Sequence, residues 1–246
     1  MRPQIIQFGD SITEQSFRSG GWGAALADNY SRKADILNRG YGGYNTRWAL
    51  LLMHHLFPLQ SITYPAVTTI FFGANDAALS GRTSERQHVP LEEYKENLRK
   101  MVQHLKKCSP TMVLVLITPP PVDEEGRLEY ARSLHGDKAM ELPERTNEMA
   151  GEYAKQCVEL ARELGLPSIN LWSIMQETEG WQKKFLSDGL HLTPDGNAVV
   201  YDKLEKVLSE AWFSAAQLPS DVPHHSEIDG KNPEKAFIIQ CPGVQQ

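Results

Sequence analysis

Residues 4–14, QIIQFGDSITE, decide how this chain reads: a short apolar run stops at Gly9 and delivers Asp10 and Ser11. The pattern is that of a strand feeding a tight turn into a helix, with Ser11 standing at the turn. Asp and Ser at a helix start accept hydrogen bonds from its free N–H groups, which is ordinary capping chemistry, and Asp10 is assigned to that work. A serine nucleophile needs the same exposed position. It also needs a base within hydrogen-bond reach and N–H donors for the negative charge that develops on the attacked oxygen.

Outward from this turn, strands alternate with helices. GGWGAALADNYSRK reads as a helix with Trp22, Ala25, Leu26 and Tyr30 spaced for a buried face. Residues 35–38 give a second short strand that runs into NRGYGGYNT, where Gly40, Gly42 and Gly43 surround Tyr41. Such a loop permits backbone positions that only glycine takes easily and can present bare N–H groups to a ligand. Residues 48–57 read as an apolar helix. VTTIFFGANDAA is the strongest strand, again ending in glycine followed by Asn75 and Asp76.

Leu91, Tyr94, Leu98, Met101, Val102 and Leu105 mark a helix over residues 91–107, and MVLVLITPPP gives an apolar strand closed by prolines and buried on both faces. Residues 122–141 are polar, contain Gly126 and Gly136, and read as a long loop above the sheet that shapes a pocket mouth. A helix over 146–164, a short strand over 167–171 and a closing helix over 194–212 complete the series. Beyond Leu218 the chain is polar and loop-like until AFIIQCP, a candidate edge strand or partner contact. The expected organisation is one domain over residues 1–215 and a tail over 216–246.

This alternation predicts an α/β fold, a three-layer α/β/α sandwich around a central, mostly parallel five-stranded sheet. Ligands bind such sheets beyond the carboxyl ends of the strands. Ser11, the loop 40–43 and Asn75 all fall at those ends.

With 246 residues the chain can bury a substantial core. A formal charge of −6 and a pI near 5.8, without a basic cluster, argue against nucleic-acid binding. Cys108, Cys157 and Cys241 are odd in number, widely spaced and form no CxxC, so neither a disulfide framework nor a zinc site is expected. The start, MRPQIIQFGD, has one basic residue and too short an apolar run for a signal-peptide core, and no segment reaches membrane-spanning length. The expectation is a cytoplasmic protein without stable membrane insertion, acting on a small molecule. Self-association is left open.

Of the eight histidines, His191 lies in SDGLHLTPDG, three residues after Asp188. An aspartate accepting from one imidazole nitrogen fixes the tautomer and leaves the other free to take a serine proton. An Asp turn beside a partly buried His has the same spacing. His54, His55, His88, His104 and His135 lack such a setting, and His224 and His225 read as a solvated pair. Asp188, His191 and Asp195 could hold a cation, but no HExxH, paired His or carboxylate cluster completes a site. Neither metal nor cofactor is expected.

FGDSIT, NRGYGGYNT, FFGANDA and DGLHLTPDG follow one another in the order and context of the SGNH hydrolases, also called GDSL esterases and lipases, which the chain resembles over about residues 5 to 200. Through GGWGAALAD, LNRGYGGYNTRWA and LSDGLHLTPDGN it is most similar to the eukaryotic isoamyl acetate-hydrolysing esterase branch. The resemblance implies a flavodoxin-like sandwich with Ser11 as nucleophile, His191 as general base and Asp188 as its orienter. It implies an oxyanion hole made by the backbone N–H groups of Ser11 and Gly43 and the side-chain amide of Asn75, with Gly73 letting Asn75 approach. There is no GxSxG elbow, so the α/β-hydrolase arrangement is excluded.

The implied reaction is cofactor-free hydrolysis of short-chain acyl esters; Phe17, Trp22, Tyr44 and Phe72, near the motifs, are candidates for an apolar alcohol site, and most of them are equally good core residues. Because the base must be neutral imidazole, activity is expected to rise through about pH 6 to 8. A carbohydrate acetylesterase, a lysophospholipase or a thioesterase would share fold and triad. The non-enzymatic alternative is a binding or scaffold protein on a hydrolase fold.

Overall fold

Strands β1 (Gln4–Gly9), β2 (Asp35–Gly40), β3 (Val67–Phe71), β4 (Val113–Ile117) and β5 (Ser168–Ile169) form one parallel sheet in the order β2-β1-β3-β4-β5. The structure is a computed structural model that describes residues 2–237. The strand order reverses direction between β1 and β3, the kind of switch point at which crevices open above a parallel sheet. Register places Gly9 beside Gly40 on one side and beside Phe71 on the other. The loops after β1, β2 and β3 therefore leave the sheet next to one another.

Helices cover both faces, because residues alternate up and down along each strand. Ile5, Val67, Phe71, Val115 and Ile117 pack on one face against α2 (Trp22–Asn29), α7 (Leu171–Gln176), α8 (Trp181–Phe185) and α9 (Pro194–Glu210). Ile6, Phe8, Ile70, Leu114 and Leu116 pack on the other against α3 (Thr46–Leu56), α4 (Leu91–Cys108) and α6 (Asn147–Leu164). The one-turn helix α1 (Ser11–Glu14) joins β1 to the first layer. The three-layer α/β/α sandwich expected from the sequence is the fold observed, with all five strands parallel.

Three local expectations change. Residues 122–141 are largely a helix, α5 (Glu124–His135), rather than a loop. It escapes an apolar-period search because the residues it buries are Gly126 and Arg127. Its signals are terminal instead: Glu124 and Glu125 in the first turn, Arg132 and His135 in the last, and Gly136 at φ 56° beyond the end. Ala25 faces solvent, and α2 buries Trp22, Gly23 and Leu26. The closing helix ends at Glu210, with Trp212 exposed beyond it at φ 57°.

The start of the tail is tied down beside β2. Lys33 Nζ donates to the Leu218 carbonyl at 2.7 Å, and Asp221 accepts from Arg2 Nε at 2.7 Å. Of the AFIIQCP segment, Ala236 and Phe237 close the short 3-10 turn Pro233–Phe237, and the remainder lies outside the described residues.

Candidate active site

Ser11 is the first residue of α1 and half-buried. Asp10 Oδ1 accepts from the Ile12 N–H at 3.0 Å and the Asp10 carbonyl from the Glu14 N–H at 2.9 Å, so Asp10 is the cap of this short helix. Burial pushes its carboxyl up to about 6. The turn is drawn tightly onto β2: a Cβ on Gly40 would lie 1.9 Å from the Glu14 nitrogen. Asn38 fastens the contact, its Nδ2 donating to the Thr13 carbonyl at 2.9 Å while its Oδ1 accepts from the Gly40 N–H at 2.8 Å.

The glycine loop after β2 presents one bare donor. Gly42 gives its N–H to Glu14 Oε2 at 2.5 Å, whereas the N–H groups of Gly43 and Ser11 have no acceptor among the described residues. Gly43 lies at φ 76°, a backbone position that costs glycine little. Asn75, on the loop after β3, is buried and oriented on both sides of its amide. Its Nδ2 donates to the Tyr44 carbonyl at 2.9 Å and its Oδ1 accepts from Arg145 Nη2 at 3.0 Å. One Nδ2 hydrogen is left unclaimed by these contacts. Gly73, two residues earlier, has φ 128°.

His191 reaches this cluster from the loop between α8 and α9. Its Nε2 lies 3.0 Å from Ser11 Oγ, and its Nδ1 lies 2.7 Å from Asp188 Oδ2. Donation from Nδ1 to the carboxylate leaves Nε2 as the acceptor facing the serine hydroxyl. The other carboxylate oxygen, Asp188 Oδ1, accepts from the backbone N–H groups of Leu190 (3.0 Å) and His191 (2.8 Å). A bridge between Leu186 and Leu192 closes the loop. Burial opposes a charge on Asp188. The hydrogen bond and charge of His191, with Arg127 behind them, win and hold its carboxyl well below the usual range.

The structure thus brings together Ser11, His191 and Asp188, and sets Gly43 and Asn75 on the two loops flanking Ser11. It sends other residues elsewhere. Trp22 and Phe72, offered as alcohol-site or core residues, are each 1% exposed and belong to the two cores, although an edge of Trp22 borders a cleft between α2 and α9. Phe17 is exposed, and Tyr44 is half-buried beside Asn75. His88 and His104 are spent on backbone carbonyls, those of Ala78 and Phe57.

A model of the GDSL-like lipase/acylhydrolase family matches residues 5–204. The chain belongs to that family. A GDSL esterase/lipase of Arabidopsis thaliana is 70% identical over 241 residues, covering 98% of this chain and all of the relative. The isoamyl acetate-hydrolyzing esterase 1 homolog of Bos taurus is 42% identical over 238 residues, covering 96% of this chain and 92% of the relative. Among solved structures, the lipase/acylhydrolase from Enterococcus faecalis superposes with a TM-score of 0.67 at 23% identity, covering 91% of this chain and 100% of that one. Family membership places the protein among the carboxylic ester hydrolases.

In this GDSL hydrolase several polar residues to which the sequence assigns no role stand behind the site. Asp76 accepts from the Thr46 N–H (2.9 Å) and hydroxyl (2.5 Å), and burial pushes its carboxyl up to about 7. Arg127, Glu144 and Arg145 are all buried. Glu144 Oε1 accepts from Arg127 Nε at 2.8 Å and from Arg145 Nη1 at 2.9 Å, and Arg127 Nη1 lies 3.1 Å from Asp188 Oδ2. The one signal open to a reader of the sequence is charge inside a segment whose termini read as helical. The loop at residues 143–146 offers none.

Proposed function

We propose that this GDSL hydrolase is a serine esterase that cleaves short-chain carboxylic esters, acetates foremost, through an acyl-enzyme. The observation that carries the reading is the unbroken line from Ser11 Oγ to His191 Nε2 at 3.0 Å and from His191 Nδ1 to Asp188 Oδ2 at 2.7 Å. Ser11 Oγ attacks the ester carbonyl while His191 takes its proton. The developing oxyanion is met by the N–H groups of Ser11 and Gly43 and by the Asn75 amide. The C–O bond to the alcohol then breaks, and His191 returns the proton to the leaving oxygen. Water, deprotonated by His191, adds to the acyl carbonyl, and its collapse frees the carboxylic acid and restores Ser11. No cofactor enters the sequence.

The free N–H of Gly43, against the occupied one of Gly42, supports Gly43 as the loop's donor. The acetate preference is supported by the name of the bovine relative, an isoamyl acetate-hydrolyzing esterase homolog. Residues 1–215 are proposed as the catalytic unit and 216–246 as its tail. A cytoplasmic location is supported by Cys108 and Cys157, which are buried as free thiols. No described helix is long and apolar enough to cross a membrane.

The test is hydrolysis of isoamyl acetate and of p-nitrophenyl esters from acetate to palmitate by wild type and Ser11→Ala. Turnover that depends on Ser11 and falls with acyl length is expected. Preference for long chains would move the substrate class to lipids, and acetate release from acetylated xylan alone would move it to carbohydrates.

A further inference from the structure

We propose that Arg145 is a positioning residue of the oxyanion hole, bracing Asn75 and the Gly43 loop together and sharing Glu144 with Arg127, which braces Asp188. The inference rests on the serine-esterase reading and assigns a second layer to the same site. Its basis is how the five N–H bonds of one guanidinium are aimed. Nε donates to the Ala74 carbonyl at 2.7 Å, Nη1 to Glu144 Oε1 at 2.9 Å and to Ser84 Oγ at 3.4 Å, and Nη2 to Asn75 Oδ1 at 3.0 Å and Gln87 Oε1 at 2.6 Å. Gln87 in turn donates from Nε2 to the Gly43 carbonyl at 3.1 Å. One side chain therefore holds the residue before Asn75, the Asn75 amide itself and, through one intermediary, the peptide of Gly43.

Two effects on the oxyanion hole follow. With Oδ1 bound to a cation, the Asn75 amide is locked against a flip, so its Nδ2 must face the Tyr44 carbonyl. A positive charge on Oδ1 also polarises the amide and strengthens its N–H as a donor, as linked hydrogen bonds do in a low-dielectric interior. The chain then continues to the opposite half of the site. Arg127 meets Glu144 Oε1 with Nε at 2.8 Å and Nη2 at 2.6 Å, and places Nη1 3.1 Å from both the carbonyl and Oδ2 of Asp188.

Three buried charges, Arg145, Glu144 and Arg127, and the part-buried carboxylate of Asp188 thus run from the oxyanion donors to the acid beside His191. Buried ion pairs are weak sources of stability compared with apolar packing of equal volume, which points to geometry as their use here. Lysine cannot take the place of this fork, having one compact ammonium where five directed donors are needed.

The experiment measures kcat and KM for p-nitrophenyl acetate, with thermal midpoints, for Arg145→Lys in the wild-type and Asn75→Ala backgrounds, with Ser11→Ala as the reference for enzyme-dependent turnover. Arg145→Lys is expected to lower kcat about 10- to 100-fold with KM within about twofold, the pattern of an interaction realised in the transition state. In the Asn75→Ala background the same change should cost clearly less than in wild type, the remainder being the part that passes through Gln87 to Gly43, since residues acting through one another are not additive. A folded Arg145→Lys with wild-type kcat, or with an undiminished loss on top of Asn75→Ala, overturns the assignment. Should Arg145→Lys not fold, Gln87→Leu decides: a lower kcat at constant KM supports it and an unchanged kcat overturns it. A wild type without Ser11-dependent turnover removes the esterase reading itself, a result distinct from either failure of Arg145.

Discussion

Ser11 follows the end of β1, a strand hydrogen-bonded to β2 and β3 on its two sides, whereas His191 rides on a loop closed by a lone bridge between Leu186 and Leu192. The nucleophile side is positioned by backbone fit: Gly9 and Gly40 leave no room for a side chain against α1, and Asn38 pins the turn. The base side is positioned by hydrogen bonds and charge. Asp188 takes two backbone N–H groups of its own loop and the cation of Arg127, which α5 brings underneath. The difference separates two kinds of damage. A change beside Ser11 disturbs packing first and chemistry through it, while a change at Asp188 disturbs chemistry and leaves the sheet intact.

Asp188→Asn should give the largest effect. It keeps the size of the side chain but removes the charge that fixes the imidazole, and kcat should fall about 10⁴-fold, with a modest drop in the thermal midpoint at neutral pH from the lost pairing with Arg127 and His191. A large drop in the midpoint would show that the loop is part of the packing after all. Asn75→Ala, on the other side, should cost about 10²- to 10³-fold in kcat, and steady-state kinetics with near-wild-type turnover would take Asn75 out of the mechanism.

Gly40→Ala sharpens the contrast from the packing side. Its new Cβ would sit 1.9 Å from the Glu14 nitrogen, so urea unfolding should register a loss of about 1–3 kcal/mol, the usual cost of overpacking. A midpoint equal to wild type would mean that α1 moves freely against β2.

The smallest expected effect is one of pH, and it too distinguishes the sides. Burial lifts Asp10 to about 6 and Asp76 to about 7, from an ordinary value of 3.8. The folded state therefore holds protons that the unfolded chain releases, and this contribution to stability, complete below about pH 4, is lost as pH rises through about 6 to 7. Asp188, held low, acts in the opposite sense: its contribution is present above about pH 4 and is lost as pH falls. Asp76→Asn keeps an acceptor for Thr46 and removes the titration. Its urea midpoint should fall less than that of wild type between pH 5 and pH 8, and parallel curves would contradict the assignment.

Legibility in the sequence follows the same division. The strands around Ser11 announce themselves by apolar runs that end in glycine, and Asp188 with His191 by a spacing of three, because each of these is a local feature. Arg127, Glu144 and Arg145 carry no such mark. Arg127 and Glu144 lie 17 residues apart in sequence and meet only in the folded chain, and α5, which buries an arginine and a glycine, has no apolar stripe to betray it. Trp22 and Phe72 show the reverse: nearness to the motifs in sequence leaves them open as alcohol-site or core residues, and packing takes both into the cores.

The central claim is that Ser11 is a nucleophile activated by His191, and intact mass after incubation with a fluorophosphonate reads it most directly. One adduct on wild type, none on Ser11→Ala and slowed formation on His191→Ala is the predicted result. An adduct that persists on Ser11→Ala, or its absence from folded wild type, would contradict the claim.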